Sequence, residues 1–167
     1  MSPAFRGQQS SRRSGIGAPE MKTILFLCTG NYYRSRFAEE LFNHHAHRIG
    51  LNWVAQSRGL ALERGALNVG PISPFALHAL KELAITARGA DRFPQQCTCG
   101  DLAGADFVVA VKESEHRPLM RERFVKWEHL PHYWNIHDVE DAAPAKALKL
   151  LTREVEALLQ RFGTVLV

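Results

Sequence analysis

Thr23-Ile24-Leu25-Phe26-Leu27-Cys28-Thr29-Gly30-Asn31-Tyr32-Tyr33-Arg34-Ser35 is the stretch from which the rest of the chain is read. Its first five residues form a short, unbroken apolar run, the pattern of a strand buried on both faces. The polar turn Cys28-Thr29-Gly30-Asn31 ends it, and a helical pattern then runs from Arg34 to about Ile49. Phe37, Ala38, Leu41, Phe42, His45 and Ile49 share one face of that helix, and Gly50 is placed to stop it.

Working outward, Asn52 to Ser57 reads as a second strand, followed by a glycine-rich connection through Gly59, Gly65 and Gly70-Pro71. Ser73 is placed to cap a helix over Pro74 to Ala84, with Phe75, Leu77, Leu80 and Leu83 as its apolar positions. Asp106 to Val111 predicts the third strand, Lys112 to about Phe124 a helix, and the stretch from Val125 to Tyr133 is expected to hold the fourth strand. A final helix begins near Ala145, with the stripe Leu148, Leu151, Val155, Leu158, Leu159 and Phe162. Strands alternating with helices at this spacing predict a parallel sheet covered on both faces. Ligands in such sheets bind beyond the carboxyl ends of the strands, where Cys28 falls.

The chain has 167 residues, enough for one domain with its own core and not for two of full size. Residues 1–20 are rich in Ser, Gly, Gln and Arg and read as a disordered basic tail, leaving 21–167 as the folded domain. Three cysteines cannot all pair internally, which argues against a secreted disulfide framework. The longest apolar run is far too short to span a bilayer. A cytoplasmic domain with no membrane partner is the expectation. Of the net charge of +4, half sits in the tail, so no basic stripe within the domain argues for nucleic acid.

The chemistry lies in Cys28 to Ser35. A loop passing from a strand end into a helix start aims several backbone N–H groups at one point and forms an anion cradle. Gly30 is expected to supply a positive φ and a close approach, and Asn31 also tolerates the left-handed region. Arg34 offers a planar fork matched to two phosphoryl oxygens. Cys28 beneath the same donors is favoured as thiolate, and Ser35 can donate a hydrogen bond to its sulfur. Thr29, Gly30, Asn31, Tyr32, Tyr33, Arg34 and Ser35 are therefore the candidate phosphate-binding residues. A cysteine and an arginine with five residues between them are common by chance. Gly30, Asn31 and Ser35 together lower that chance to roughly one in ten thousand. A plain core cysteine would be followed by more apolar chain, not by a polar turn. The nucleotide-binding pattern G-x-x-x-x-G-K-[ST] occurs nowhere, and the GIG of residues 15–17 precedes any strand.

The segment resembles the signature loop of the low-molecular-weight protein tyrosine phosphatase family, which also includes thioredoxin-coupled arsenate reductases. Ser57-x-Gly59, Gly70-Pro71, Asp101-Leu-x-x-Ala105-Asp106 and an aspartate before the last helix fall in family order. The resemblance implies a three-layer α/β fold with a four-stranded parallel sheet, and no metal or cofactor. It implies Cys28 as nucleophile, Arg34 as phosphate ligand and a late-loop aspartate as general acid. Asp138 matches that acid best; Val139 stands where family members usually have proline, and Asp141 is the alternative. The implied partners are a phosphotyrosine protein or small aryl phosphate, and inorganic phosphate or a similar oxyanion. Arsenate reduction, or phosphate and phosphopeptide binding without catalysis, are the alternatives.

Several departures bear on substrate choice. Tyr33 stands where many members carry a second cysteine, and Arg36 where proline is common. Tyr32 could flank an aromatic substrate, and Tyr133 and Trp134 read equally as a second wall or as the edge of the core. Cys97-Thr98-Cys99 lies before the third strand, whereas the reductases' relay cysteines lie after theirs. His44 and His47 share a helix face without an evident third ligand and read as solvated surface. His116 falls on the helix after the third strand, with nothing in the pattern to give it a role at the site, and His137 beside Asp138 could tune that acid or simply face water.

Overall fold

The computed structural model describes residues 17–138 and 143–164. Four strands, β1 (Lys22–Cys28), β2 (Trp53–Gly59), β3 (Phe107–Ala110) and β4 (His132–Tyr133), form one parallel sheet in the order β2-β1-β3-β4. β1 is central, pairing Cys28 with Gly59 on one side and Leu27 with Ala110 on the other. Its unbroken apolar run follows from the two-residue strand period. Ile24 and Phe26 enter one core with α1 (Arg34–Arg48) and α5 (Pro144–Thr164). Leu25 and Leu27 enter a second core with Leu102 of α3 (Cys99–Gly104) and with Leu119 and Met120 of α4 (Glu113–Arg123).

The α5 stripe is buried as its spacing predicts. On α1, Ala46 joins the buried face, while Ile49 lies past the helix end and is exposed. Gly50 stops the helix in the left-handed region, at φ 65°. Ser73 caps α2 (Pro74–Glu82), its hydroxyl accepting from Phe75 N at 3.2 Å. That helix buries Ala76 and Leu80 and leaves Phe75, Leu77 and Leu83 exposed, because only one narrow side meets α1 and α5.

Two elements differ from the sequence pattern. Within the stretch expected to hold the fourth strand, Val125–Trp127 forms a 3-10 turn and β4 takes only the last two residues. Glu128 turns back to pair with Arg121, and Pro131 offers no backbone donor to a longer ladder. α3 has a single buried side chain, too weak a period to read. Its marker is the capping box, in which Thr98 and Asp101 bond each other's backbone.

Candidate active site

Cys28 ends β1, and Arg34 opens α1 five residues after the turn begins, so both are held by elements of the buried core. Ser35 Oγ lies 2.8 Å from Cys28 Sγ, and the Asn31 amide donates to the same sulfur at 3.2 Å. Asn31 carries the left-handed residue of the loop, at φ 50°. Gly30 does not adopt positive φ, a correction to the expectation from its type. A Cβ there would lie in ordinary contact with the Asn68 side chain at 3.4 Å and with Gly65 Cα at 3.7 Å.

The Asn31 side chain is held by four partners. Its Oδ1 accepts from Gln95 N at 3.0 Å and Arg92 Nη1 at 3.1 Å. Both can only donate, so the Nδ2 group must face the other way, toward Ser35 Oγ and Ser57 Oγ, each at 2.9 Å. Ser35 Oγ thus receives a proton from Asn31 and has its own to donate to the sulfur. Arg92 also donates to Ser57 Oγ at 3.0 Å and pairs with Glu39 at 2.8 Å. Ser57-x-Gly59, legible only as a family pattern, gains its physical reason here. Ser57 supports the loop's asparagine, and Gly59 leaves room for the loop backbone.

Arg36 is fully buried. Its guanidinium donates to the carbonyls of Pro71, Gly89 and Arg92, while Glu40 accepts from the amides of Arg88 and Gly89. These bonds strap residues 88–92 beneath the cysteine loop, which places Arg92.

A cavity of about 270 Å³ opens above the loop, lined by Cys28, Gly30, Tyr32, Tyr33, Arg34 and Asp138, with Asn68 and the start of α2 on the far side. The Tyr32 hydroxyl donates to Val69 O, and the buried Tyr33 hydroxyl to Pro144 O. Burial, with the Asp138 charge adding to it, pushes the Tyr33 phenol up to about 12. Tyr133 and Trp134 are not part of this cavity. Trp134 packs on Phe26 in the core, and the Tyr133 hydroxyl bonds Glu128 O. The aromatic wall opposite Tyr32 is Phe75, whose ring meets Tyr33 edge-on.

Arg34 is 2% exposed, and Asp138 Oδ2 lies 3.2 Å from its Nη2. Asp141 lies outside the described residues. The residues that sequence patterning misses come from the start of α4. Glu115 receives both terminal nitrogens of Arg34, at 2.8 and 3.1 Å, together with the Thr29 hydroxyl. His116 is fully buried, and its Nδ1 accepts from Lys112 N at 3.0 Å. Its proton is therefore on Nε2, which faces Thr29 Oγ1 and Glu115. Burial holds His116 below the usual imidazole range. Burial also opposes ionisation of Glu115, but the bonds from His116, Arg34 and Thr29 outweigh it and hold the carboxyl well below the usual range. His137 is exposed. Among the described residues, no cluster of His, Cys, Asp or Glu is arranged to hold a metal.

A thiol bonded by Ser35 and the Asn31 amide at the end of a central parallel strand, in a cavity that Arg34 also lines, makes this an α/β protein with a cysteine at the ligand-binding edge of its sheet. The chain belongs to the low molecular weight phosphotyrosine protein phosphatase family, whose model matches residues 23–160. A protein-arginine-phosphatase from Bacillus subtilis (strain 168) is 32% identical over 104 residues, which are 62% of this chain and 64% of that protein. The chain thus matches less than two thirds of that relative's length. The low molecular weight protein tyrosine phosphatase from T. tengcongensis superposes with a TM-score of 0.70 at 25% identity, covering 84% of this chain and 99% of that one. YfkJ from Bacillus subtilis shares the fold, with a TM-score of 0.74 at 21% identity, over 89% of this chain and 98% of its own. No helix among the described residues is long and apolar enough to cross a membrane.

Proposed function

We propose that this chain is a cytoplasmic, cysteine-dependent phosphatase that hydrolyses phosphotyrosine and related aryl phosphate monoesters through a phosphocysteine. The observation that carries the reading is the sulfur of Cys28, bonded by the Ser35 hydroxyl and the Asn31 amide within the cavity that Arg34 and Asp138 also line.

The thiolate of Cys28 attacks phosphorus in line. The bond to the aryl oxygen breaks as Asp138, in its acid form, delivers a proton to that oxygen. A water then attacks the phosphocysteine, Asp138 takes its proton, and the P–S bond breaks to release phosphate and restore the thiolate. The loop amides and Arg34 hold the equatorial oxygens throughout, so the acceleration is chiefly positioning and electrostatic stabilisation. Ser35 stabilises the sulfur as attacking and as leaving group. Aryl substrates are favoured because Tyr32, Pro74 and Phe75 make a flat apolar mouth.

Phosphoarginine is the second reading, favoured by the sequence match to a protein-arginine-phosphatase. Its guanidinium would seek acidic walls, and among the described residues Asp138 is the one carboxylate lining the cavity. Arsenate reduction is less well supported. Cys97 is buried in the core on the opposite face of the sheet from that of Cys28, and all three cysteines are free. Hydrolysis of p-nitrophenyl phosphate, abolished in Cys28→Ser with phosphate binding retained, is the expected result. Full activity in that variant overturns the mechanism. Relative kcat/KM on phosphotyrosine and phosphoarginine peptides decides between the two substrates.

A further inference from the structure

A guanidinium has five N–H groups arranged along its edges, and the bonds of Arg34 account for four of them. The two terminal nitrogens each give one proton to Glu115, Nη2 to Oε1 at 2.8 Å and Nη1 to Oε2 at 3.1 Å. The second Nη1 proton goes to Ile136 O at 3.0 Å, and the second Nη2 proton to Asp138 Oδ2 at 3.2 Å. Glu115 therefore occupies the end of the fork, and the backbone of residue 136 occupies its inner side. What remains is the side edge, Nε–H with the Nη2–H that Asp138 now holds.

We propose that Glu115 is a positioning residue that clamps the end of the Arg34 guanidinium and so presents its Nε–Nη2 edge to the oxyanion. The inference rests on the reading of Arg34 as the phosphate ligand and deepens it. An arriving phosphoryl group replaces Asp138 as the acceptor of the Nη2–H hydrogen bond, so binding also releases that carboxylate toward the leaving oxygen. Glu115 is itself held on its other side. Thr29 donates its hydroxyl to Oε1, and the Nε2–H of the buried, neutral His116 faces the same oxygen at 3.4 Å. Thr29 belongs to the cysteine loop and His116 to α4, so the carboxylate ties the loop, the arginine and the helix into one unit. A surface ion pair would have neither partner; this one joins a 2% exposed arginine to a 28% exposed glutamate.

Charge and orientation predict opposite outcomes, which makes the test decisive. Removing a carboxylate beside a dianion site strengthens phosphate binding if Glu115 acts only through its charge. If it acts by orienting Arg34, binding weakens, because the freed guanidinium rotates off the productive edge. In Glu115→Gln, the inhibition constant for inorganic phosphate and vanadate is expected to rise, and kcat for p-nitrophenyl phosphate to fall roughly tenfold to a hundredfold. Thr29→Val should follow in the same direction by a smaller factor, and Thr29→Ser, which keeps the donor, should lose less than Thr29→Val. Circular dichroism and the melting curve establish that each variant is folded. Phosphate affinity measured by calorimetry needs no turnover, so a parent chain that bound phosphate without hydrolysing the ester would refute the phosphatase reading and leave this inference standing or falling by itself. Tighter or unchanged phosphate binding in folded Glu115→Gln overturns it.

Discussion

Gly59 is the residue at which the sheet leaves least room for the cysteine loop. A Cβ built there lies 2.5 Å from Leu62 Cδ2, 2.8 Å from Thr29 O and 3.1 Å from Asn31 N. The leucine can turn aside, but the other two atoms are loop backbone. Reaching an ordinary 3.4 Å contact requires Thr29 O to retreat by 0.6 Å and Asn31 N by 0.3 Å. Neither can move alone. Thr29 O accepts from Ala61 N at 3.0 Å, and Asn31 N is the donor 3.2 Å from Cys28 Sγ. Misplacement by about 1 Å costs on the order of a hundredfold in rate, so a shift of this size should lower kcat roughly tenfold to thirtyfold. Overpacking of this kind costs about 1–3 kcal/mol, and each kcal/mol lowers Tm by about 2–4 °C in a chain of this length. Gly59→Ala is measured by p-nitrophenyl phosphate kinetics and thermal melting beside Gly104→Ala, where a Cβ meets nothing within 4 Å and little should change. A Gly59→Ala protein with kcat within twofold and Tm within about a degree of the parent refutes the steric reasoning.

Three further outcomes are expected. Asp138→Asn should reduce kcat by about 10²–10⁴ on phenyl phosphate, and by less on p-nitrophenyl phosphate, whose leaving oxygen needs less help from a proton; equal losses on both esters would contradict an acid role. Arg92→Ala removes the donor shared by Asn31, Ser57 and Glu39, so alkylation of Cys28 by iodoacetate and kcat should both change in a folded protein, and unaltered values of both would show that Gln95 N suffices to hold the loop. Burial, with Asp101 adding to it, pushes the Cys97 thiol up to about 12, so at pH 8–9 Cys99 should be labelled by iodoacetamide and Cys97 spared until the chain unfolds. The same shift makes Cys97 a source of stability that is full below about 8.5, the ordinary thiol value, and is lost as pH climbs from there toward 12; rapid labelling of Cys97 in the native protein would refute its burial.

The limits of reading from sequence are specific. The turn from β1 into α1 is legible because every residue in it answers to local chemistry: an apolar run that must be covered on both faces, a left-handed asparagine, an arginine opening a helix. Val125 to Tyr133 holds the fourth strand, but the mixed sequence of that stretch carries no mark of the Glu128–Arg121 pair that turns its first part aside. Tyr133 and Trp134 leave wall and core edge equally open in the sequence. An aromatic at the end of a strand points to the core or the cavity according to the strand's phase, and β4 is too short for that phase to be read.

By itself, the sequence determines the order of elements, the two-faced burial of β1, and the meeting of Cys28, Ser35 and Arg34, since these depend on separations of a few residues and on periods of two and three to four. Only the tertiary structure decides that Glu115, 81 residues from Arg34, grips its guanidinium, or that Arg92, 61 residues from Asn31, supports the loop. On their own segments both are ordinary charged residues with the spacing of a solvated face. Their partners are chosen by which strand ends and helix starts the parallel sheet brings to one edge, and no local period records that choice.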